Sequence, residues 1–251
     1  MMVITQDVNS IRILTMNHSS QHNPFSKELE ESVKYALNHA DGDDSIKAVV
    51  VYGGRDRSFS SGGDFNEIKN LSAGCDVEDW IDRVIDLYQC VLKIKKPTVA
   101  AVEGYAIGMG FQFAMMFDQR VMSEQAIFSM PELKHGIGCS VGAAILDHTH
   151  GHTVMKKILF ECERLTAEQC YAYKIVDSVV TKDNLLPIAI AKATLLANYP
   201  VTAFSNTKEY INRKFISILD DVKEESKSIH KKTFAKRDVQ AHIKNVLGKK
   251  Y

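Results

Sequence analysis

Two short, uninterrupted apolar runs, Ala48-Val49-Val50-Val51-Tyr52 and Pro97-Thr98-Val99-Ala100-Ala101-Val102, constrain the fold of this chain more than any other feature. Neither alternates polar with apolar residues, so each reads as a strand covered on both faces, as in a parallel sheet. Gly53-Gly54 ends the first run. Between the two, Trp80, Val84, Leu87, Tyr88, Val91 and Leu92 recur at helical spacing. A strand, a helix and a second strand imply a right-handed β-α-β crossover.

The flanking segments extend an α/β reading. Ile11-Arg12-Ile13-Leu14-Thr15-Met16 is expected to pair with residues 3–5 as a short hairpin, closed by Asn17-His18-Ser19-Ser20. A helix is expected from Ser26, with Glu28 and Glu30 in its first turn, where the dipole favours acids, and a stop at Asp41-Gly42-Asp43-Asp44. Another should begin near Gly108. Arg120-Val121-Met122 and Ala126-Ile127-Phe128 are candidate short strands. From Ser140 the pattern is mainly helical, broken at Gly151 and restarted by a capping box at Thr166-Ala167-Glu168-Gln169. Near Pro200 the composition shifts to lysine-rich helices with few sheet formers. The division expected is a core over 1–199 and a helical region over 200–251.

With 251 residues and 45% hydrophobic content, the chain is long enough for one substantial core. Lys+Arg and Asp+Glu are both 31, so no global field draws it to nucleic acid or membrane. Lys223, Lys227, Lys231, Lys232, Lys236, Arg237, Lys249 and Lys250 form a local basic excess. It reads either as a solvated helix face or as a patch meeting a phosphorylated ligand. The five cysteines, Cys75, Cys90, Cys139, Cys162 and Cys170, are odd in number and contain no C-x-x-C. Neither a disulfide framework nor a structural zinc site is indicated. No leader pattern and no run of about 20 apolar residues is present, so a cytoplasmic location is expected.

The chemistry concentrates in two glycine loops placed where sheet strands should end: Phe59-Ser60-Ser61-Gly62-Gly63-Asp64-Phe65 and Glu103-Gly104-Tyr105-Ala106-Ile107-Gly108-Met109-Gly110. Ligands of open parallel sheets bind beyond the carboxyl ends of the strands, and glycine lets backbone N–H groups approach them closely. Two converging N–H groups make an oxyanion hole. A dinucleotide site is not supported, because Gly108-Met109-Gly110-Phe111-Gln112-Phe113 lacks the third small residue of G-x-G-x-x-G.

In order and spacing, Ser61-Gly62-Gly63-Asp64, the 104–110 loop and Met130-Pro131-Glu132 resemble the three signature segments of the crotonase (enoyl-CoA hydratase/isomerase) superfamily. The resemblance implies an α/β fold, a crotonase-type spiral of β-β-α units. The C-terminal helical region over 200–251 would serve as a trimerisation and lid element in a homotrimer or hexamer. It makes the N–H groups of Gly63 and Met109 the oxyanion donors and gives Ser61, Gly62, Gly63, Asp64, Phe65 and Met109 to thioester binding. No permanently bound cofactor and no metal is implied.

Hydratases of the family carry one glutamate just after the second loop and another in the Pro-Glu segment. This chain has Gln112 at the first position and Glu132 at the second. An amide cannot exchange a proton at neutral pH, so water addition loses one of its two acid–base groups while enolate stabilisation survives. Segments 58–67, 104–120 and 130–142, with Asn245-Val246-Leu247-Gly248-Lys249-Lys250-Tyr251, resemble most closely the carbapenem-pathway members. That resemblance implies that malonyl-CoA is decarboxylated and that its enolate attacks the C=N of pyrroline-5-carboxylate. Hydrolysis of the thioester then yields (2S,5S)-5-carboxymethylproline, with Glu132 activating the water and Gln112 hydrogen-bonding the reacting groups. Trp80 and His230 read as pocket residues or, equally, as a core aromatic and a surface histidine.

Three rivals remain at this level. A malonyl- or methylmalonyl-CoA decarboxylase would simply protonate the enolate. Gly138-Cys139-Ser140-Val141-Gly142 matches G-x-S-x-G and admits a serine hydrolase using Ser140, Asp177 and His230, although the segment before it is no buried strand and Ser140 reads better as a helix N-cap. A binding or scaffold protein is the third. His148-Thr149-His150-Gly151-His152 lacks a neighbouring carboxylate or cysteine cluster and reads as a polar loop.

Overall fold

The structure is a computed structural model that describes residues 1–71, 74–236, 239, 241 and 245. In chain order its elements are β1 (Val3–Val8), β2 (Ile11–Met16), α1 (Lys27–Gly42), β3 (Ala48–Tyr52), α2 (Phe65–Ile68), α3 (Cys75–Lys93), β4 (Thr98–Val102), β5 (Tyr105–Ile107), α4 (Met109–Ala114), β6 (Gln119–Ser123), β7 (Ile127–Ser129), α5 (Ser140–Glu161), α6 (Ala167–Ala172), β8 (Ser178–Val180), α7 (Leu185–Ala197) and α8 (Val201–Phe234). One sheet runs β1-β2-β3-β4-β6-β8 and a second, smaller one pairs β5 with β7. Among the strand pairs of the described residues, β1 with β2 is antiparallel and the others are parallel. Strands of the large sheet are followed by strands of the small one (β4 by β5, β6 by β7) and then by a helix, which is the repeated β-β-α turn of a spiral.

The apolar runs behave as their composition requires. Val49 and Val51 of β3 face the main core with Leu29, Val33 and Leu37 of α1. Ala48, Val50 and Tyr52 face the other side, covered by Leu185, Ala189 and Ala193 of α7. Each fully buried valine or leucine contributes about 1.5–3 kcal/mol, so a strand apolar on both faces is stable only when both faces are covered.

Helix boundaries follow their caps. Ser26 accepts from Leu29 N at the start of α1, and Thr166 and Gln169 form the reciprocal capping box of α6. Gly151, at φ 79°, kinks α5. The shift at Pro200 is where α8 begins, and α8 packs along α3 and α5.

One local expectation is corrected. The hairpin turn is Asn9-Ser10, with Asn9 at φ 55°, and not Asn17-His18-Ser19-Ser20. Strand β1 is an edge strand exposed over most of its length, and it runs past residues 3–5 so that Gln6 and Asp7 also pair in the sheet. Arg12 of β2 ties Asp7 across the pair at 2.8 Å. No single described helix is long and apolar enough to cross a membrane.

Candidate active site

The two glycine loops are stitched to each other by backbone. Ser60 N donates to Tyr105 O at 2.9 Å and Ile107 N donates to Ser60 O at 3.0 Å. The Ser60 hydroxyl is buried, donating to Asn23 O and accepting from Gly62 N. Contacts this close demand glycine: a Cβ on Gly110 would lie 2.4 Å from Ser60 O, and one on Gly62 would lie 2.7 Å from Ile107 O and 3.5 Å from Met109 N. Gly62 also sits at φ 96° and Gly108 at φ 54°, in the left-handed region that glycine tolerates. Neither Gly63 N nor Met109 N, the latter at the first position of α4, donates to any group among the described residues. Both line one cleft, of about 180 Å³.

Ser61, Gly62, Gly63 and Phe65 line that cleft, together with Trp80, Gln112, Glu132 and His230. Asp64 does not. Its carboxylate caps α2 by accepting from Asn66 N at 2.8 Å and so shapes the loop.

Glu132 lies in a short 3-10 turn just after Pro131. Its Oε1 accepts from Gln112 Nε2 at 2.9 Å, while its Oε2 is buried with no hydrogen-bond partner among the described residues. Burial pushes its pKa up to about 7, against the lowering effects of its own backbone amide, of the nearby Cys139 thiol and of the Gln112 hydrogen bond. A carboxyl group that ionises near neutrality is suited to take a proton from water. Gln112 is in turn held by Tyr88, whose hydroxyl donates to Gln112 Oε1 at 3.1 Å.

Sequence reasoning missed two members of this cluster. Tyr88 showed only as one apolar position of a helix, and Cys139 only as the variable residue of a hydrolase pattern. The Cys139 thiol is pushed well above its ordinary pKa, by burial first and then by Glu132.

Gly142 backs the cluster. A Cβ there would stand 2.5 Å from Cys139 Sγ and 3.2 Å from both Gln112 Nε2 and Met130 Sδ. Gly142→Ala is therefore expected to drive Cys139 or Gln112 toward Glu132, costing about 1–3 kcal/mol of stability. Turnover should fall roughly tenfold, as for a displacement of a catalytic contact worth about 1.4 kcal/mol. Thermal melting and steady-state rates check this, and a variant with wild-type values for both would remove the packing role.

Trp80 and His230 form one wall, their ring centroids 5.5 Å apart, with Phe234 5.9 Å from Trp80. Both side chains are buried and border the cleft. His230 is no surface residue. Its Nδ1 lies 2.7 Å from Ser226 O, a carbonyl that can only accept, so Nδ1 carries the proton and Nε2 is an acceptor. Burial lowers its pKa, which keeps the ring neutral. The basic face of α8 is largely spent on α3: Lys231 pairs with Glu78, and Lys223 and Lys227 pair with Asp82 at 2.8 and 2.9 Å. Arg237, Lys249 and Lys250, and the matched segment after Asn245, lie outside the described residues.

The serine hydrolase arrangement is not assembled. Ser140 is the first residue of α5, with Cys139 and not Ser140 in the N-cap position. The Ser140 hydroxyl pairs with Ser226 Oγ at 2.6 Å, and Asp177 accepts from Arg120 N at 2.7 Å. The glycines of the pattern answer to packing, since a Cβ on Gly138 would lie 2.4 Å from Ile229 of α8. His148 packs on Phe215, His150 meets Thr149, and His152 pairs with Asp147.

A spiral of β-β-α units with paired free amides over a cleft and a half-buried glutamate beside them defines a class. The family model of the enoyl-CoA hydratase/isomerases matches residues 6–250, and the chain belongs to that family, whose members act on coenzyme A thioesters without a resident cofactor. Among curated proteins, the carboxymethylproline synthase of Pectobacterium carotovorum subsp. carotovorum is 58% identical over 250 residues, spanning 100% of both chains. The mitochondrial enoyl-CoA hydratase of Pongo abelii is 28% identical over 231 residues, 92% of this chain and 78% of its own. Among solved structures, ThnE from S. clavuligerus has a TM-score of 0.78 at 31% identity, covering 90% of this chain and 100% of its own. An enoyl-CoA hydratase from Bacillus halodurans reaches a TM-score of 0.88 at 20% identity over 98% of this chain and 100% of its own, a likeness of fold.

Proposed function

We infer that this chain makes 5-carboxymethylproline from malonyl-CoA and pyrroline-5-carboxylate, the C=N form of glutamate semialdehyde. The observation that carries the reading is the 58% identity to a carboxymethylproline synthase over the whole chain. The site chemistry supports it, because an amide, Gln112, bonds to the one cleft carboxylate where a hydratase would place a second acid.

The malonyl thioester oxygen accepts from Gly63 N–H and Met109 N–H. Loss of carbon dioxide leaves its electron pair on the α-carbon and, by conjugation, negative charge on that oxygen. Each such donor contributes about 3–4 kcal/mol to the charged state. No base is needed for this step. The enolate carbon then bonds to the imine carbon, and the imine nitrogen takes up the electron pair and a proton. Glu132 removes a proton from water, the hydroxide attacks the thioester carbonyl, and the same two amides hold the tetrahedral oxyanion until the CoA thiolate leaves. Trp80 and His230 wall the side of the cleft in which the imine partner would sit. Asp64 serves indirectly, by capping α2 behind Phe65.

We assign residues 1–199 to the thioester-binding spiral and 200–251 to assembly and covering of the site. Ser226 and His230 support the covering role. The exposed apolar side chains of α7 and α8, among them Leu195, Val201, Tyr210 and Ile211, support a homotrimer or a hexamer of two trimers.

Mass spectrometry of the protein incubated with malonyl-CoA and pyrroline-5-carboxylate tests the function. The expected products are 5-carboxymethylproline and free CoA. Acetyl-CoA as the sole product would instead establish a decarboxylase that protonates its enolate, and absence of any CoA release would leave a binding protein.

A further inference from the structure

Tyr88 lies on α3, fully buried, and nothing in the chemistry above requires it to touch substrate. Its hydroxyl is 3.1 Å from Gln112 Oε1 and 3.4 Å from Met109 O, and both are carbonyl oxygens that can only accept. The phenol has a single hydrogen to give, and the shorter of the two contacts directs it to Gln112 Oε1. A side-chain amide can sit in either of two orientations related by a flip, and the direction of Gln112 decides what Glu132 meets. With Oε1 on Tyr88, Nε2 must donate to Glu132 Oε1, as it does at 2.9 Å. With the amide reversed, two oxygens would oppose each other across that distance. Only a protonated carboxyl group would relieve this, by turning its own O–H toward the amide.

We propose that Tyr88 is a positioning residue, acting through Gln112: its hydroxyl locks the amide so that Nε2 holds Glu132 Oε1 and leaves Oε2 free for the water that cleaves the thioester. The orphan state of Oε2 fits this, since a buried carboxylate oxygen without a partner is costly unless a ligand or water completes it. The assignment of the water to Glu132 rests on the proposed function; the locking of the amide does not.

The groups around Glu132 bear on its titration. Cys139 approaches from the N-terminus of α5, His135 follows in the same turn, and His230 borders the cleft from α8. Burial, with Glu132 and Cys139 as lesser causes, raises the Tyr88 phenol well above its ordinary pKa, so it stays a donor throughout the range in which Glu132 titrates.

The test is Tyr88→Phe, which removes one oxygen atom. Infrared difference titration of the ligand-free oligomer, referenced to Glu132→Gln, reads the Glu132 carboxyl directly. The expected midpoint in Tyr88→Phe is higher by about one pH unit, the scale of one lost hydrogen bond to an ionised group. An unchanged or lower midpoint in folded protein overturns the proposal. In wild-type protein, the side-chain amide resonances of Gln112 should shift with the same midpoint as Glu132. Amide resonances indifferent to that titration would overturn the proposal even if Tyr88→Phe failed to fold. Neither measurement uses substrate, so both stand if the proposed function fails. Where hydrolysis is observed, Tyr88→Phe should reduce it roughly tenfold near pH 7 with recovery at higher pH, whereas a purely structural defect would lower the rate equally at every pH.

Discussion

Replacement of Glu132 by glutamine is expected to lower thioester hydrolysis by roughly 10²–10⁴, the usual contribution of a positioned general base, and to lower decarboxylation far less. The asymmetry follows from the chemistry. Loss of carbon dioxide generates the enolate without a base, whereas water must lose a proton to attack the thioester. Product analysis should show the carboxymethylproline thioester accumulating in place of the free acid. Equal loss of both steps in a folded variant would contradict the role given to Glu132.

The same substitution should stabilise the protein at alkaline pH. The Glu132 carboxyl ionises near pH 7 when folded and near its ordinary value of 4.5 when solvated. Between those values the folded state binds more protons than the unfolded state, so stability falls as pH rises through the window. Above it, the buried carboxylate costs on the order of 2–3 kcal/mol, which glutamine would not incur. At pH 8, Glu132→Gln should melt about 5 °C or more above wild type, and the difference should vanish near pH 4.5. Glu30, also pushed up to about 7 by burial, titrates in the same window but cancels between the two proteins. A variant no more stable at pH 8 would show that the carboxylate is not desolvated.

Gly62→Ala is the second large expectation, and it should damage every step. The new Cβ would stand 2.7 Å from the backbone oxygen of Ile107, a neighbour that cannot rotate away, at a φ of 96° that costs an alanine further strain. Relief requires the two loops to part, and these loops carry Gly63 N–H and Met109 N–H. Loss of one oxyanion donor costs about 10²–10³ in rate. Decarboxylation and hydrolysis should therefore fall together by at least that factor, unlike the selective effect at Glu132. Met109→Ala should be much milder, because the proposed donor is its backbone N–H and its side chain only lines the cleft. Wild-type decarboxylation by Gly62→Ala would remove the oxyanion hole from these loops.

The apolar runs at Ala48 and Pro97, the helical spacing of α1 and α3, and the caps at Ser26 and Thr166 all have local physical causes, and all were legible in the chain. So were the two glycine loops, the exchange of an acid for Gln112, and Glu132, because each is a departure in residue type at a fixed spacing. The hairpin turn at Asn9-Ser10 was not, because the polar residues of an edge strand obey no burial pattern. Nor was the caging of Ser140 by Ser226, which depends on α8 returning across α5. The basic residues of α8 read equally as a solvated face or a patch for a phosphorylated ligand, because Glu78 and Asp82 of α3, which pair with Lys231, Lys223 and Lys227, lie far away in the chain. The sequence by itself determined which backbone groups could be offered to a thioester oxygen and that Glu132, with Gln112 in place of a second acid, kept its carboxylate. Only the tertiary structure decided that this carboxylate lies buried under Gln112, that Tyr88 stands behind the amide, and that His230 is neutral. Residue type sets what a side chain can donate or accept, whereas desolvation and hydrogen-bond direction arise only when distant segments exclude water from one another.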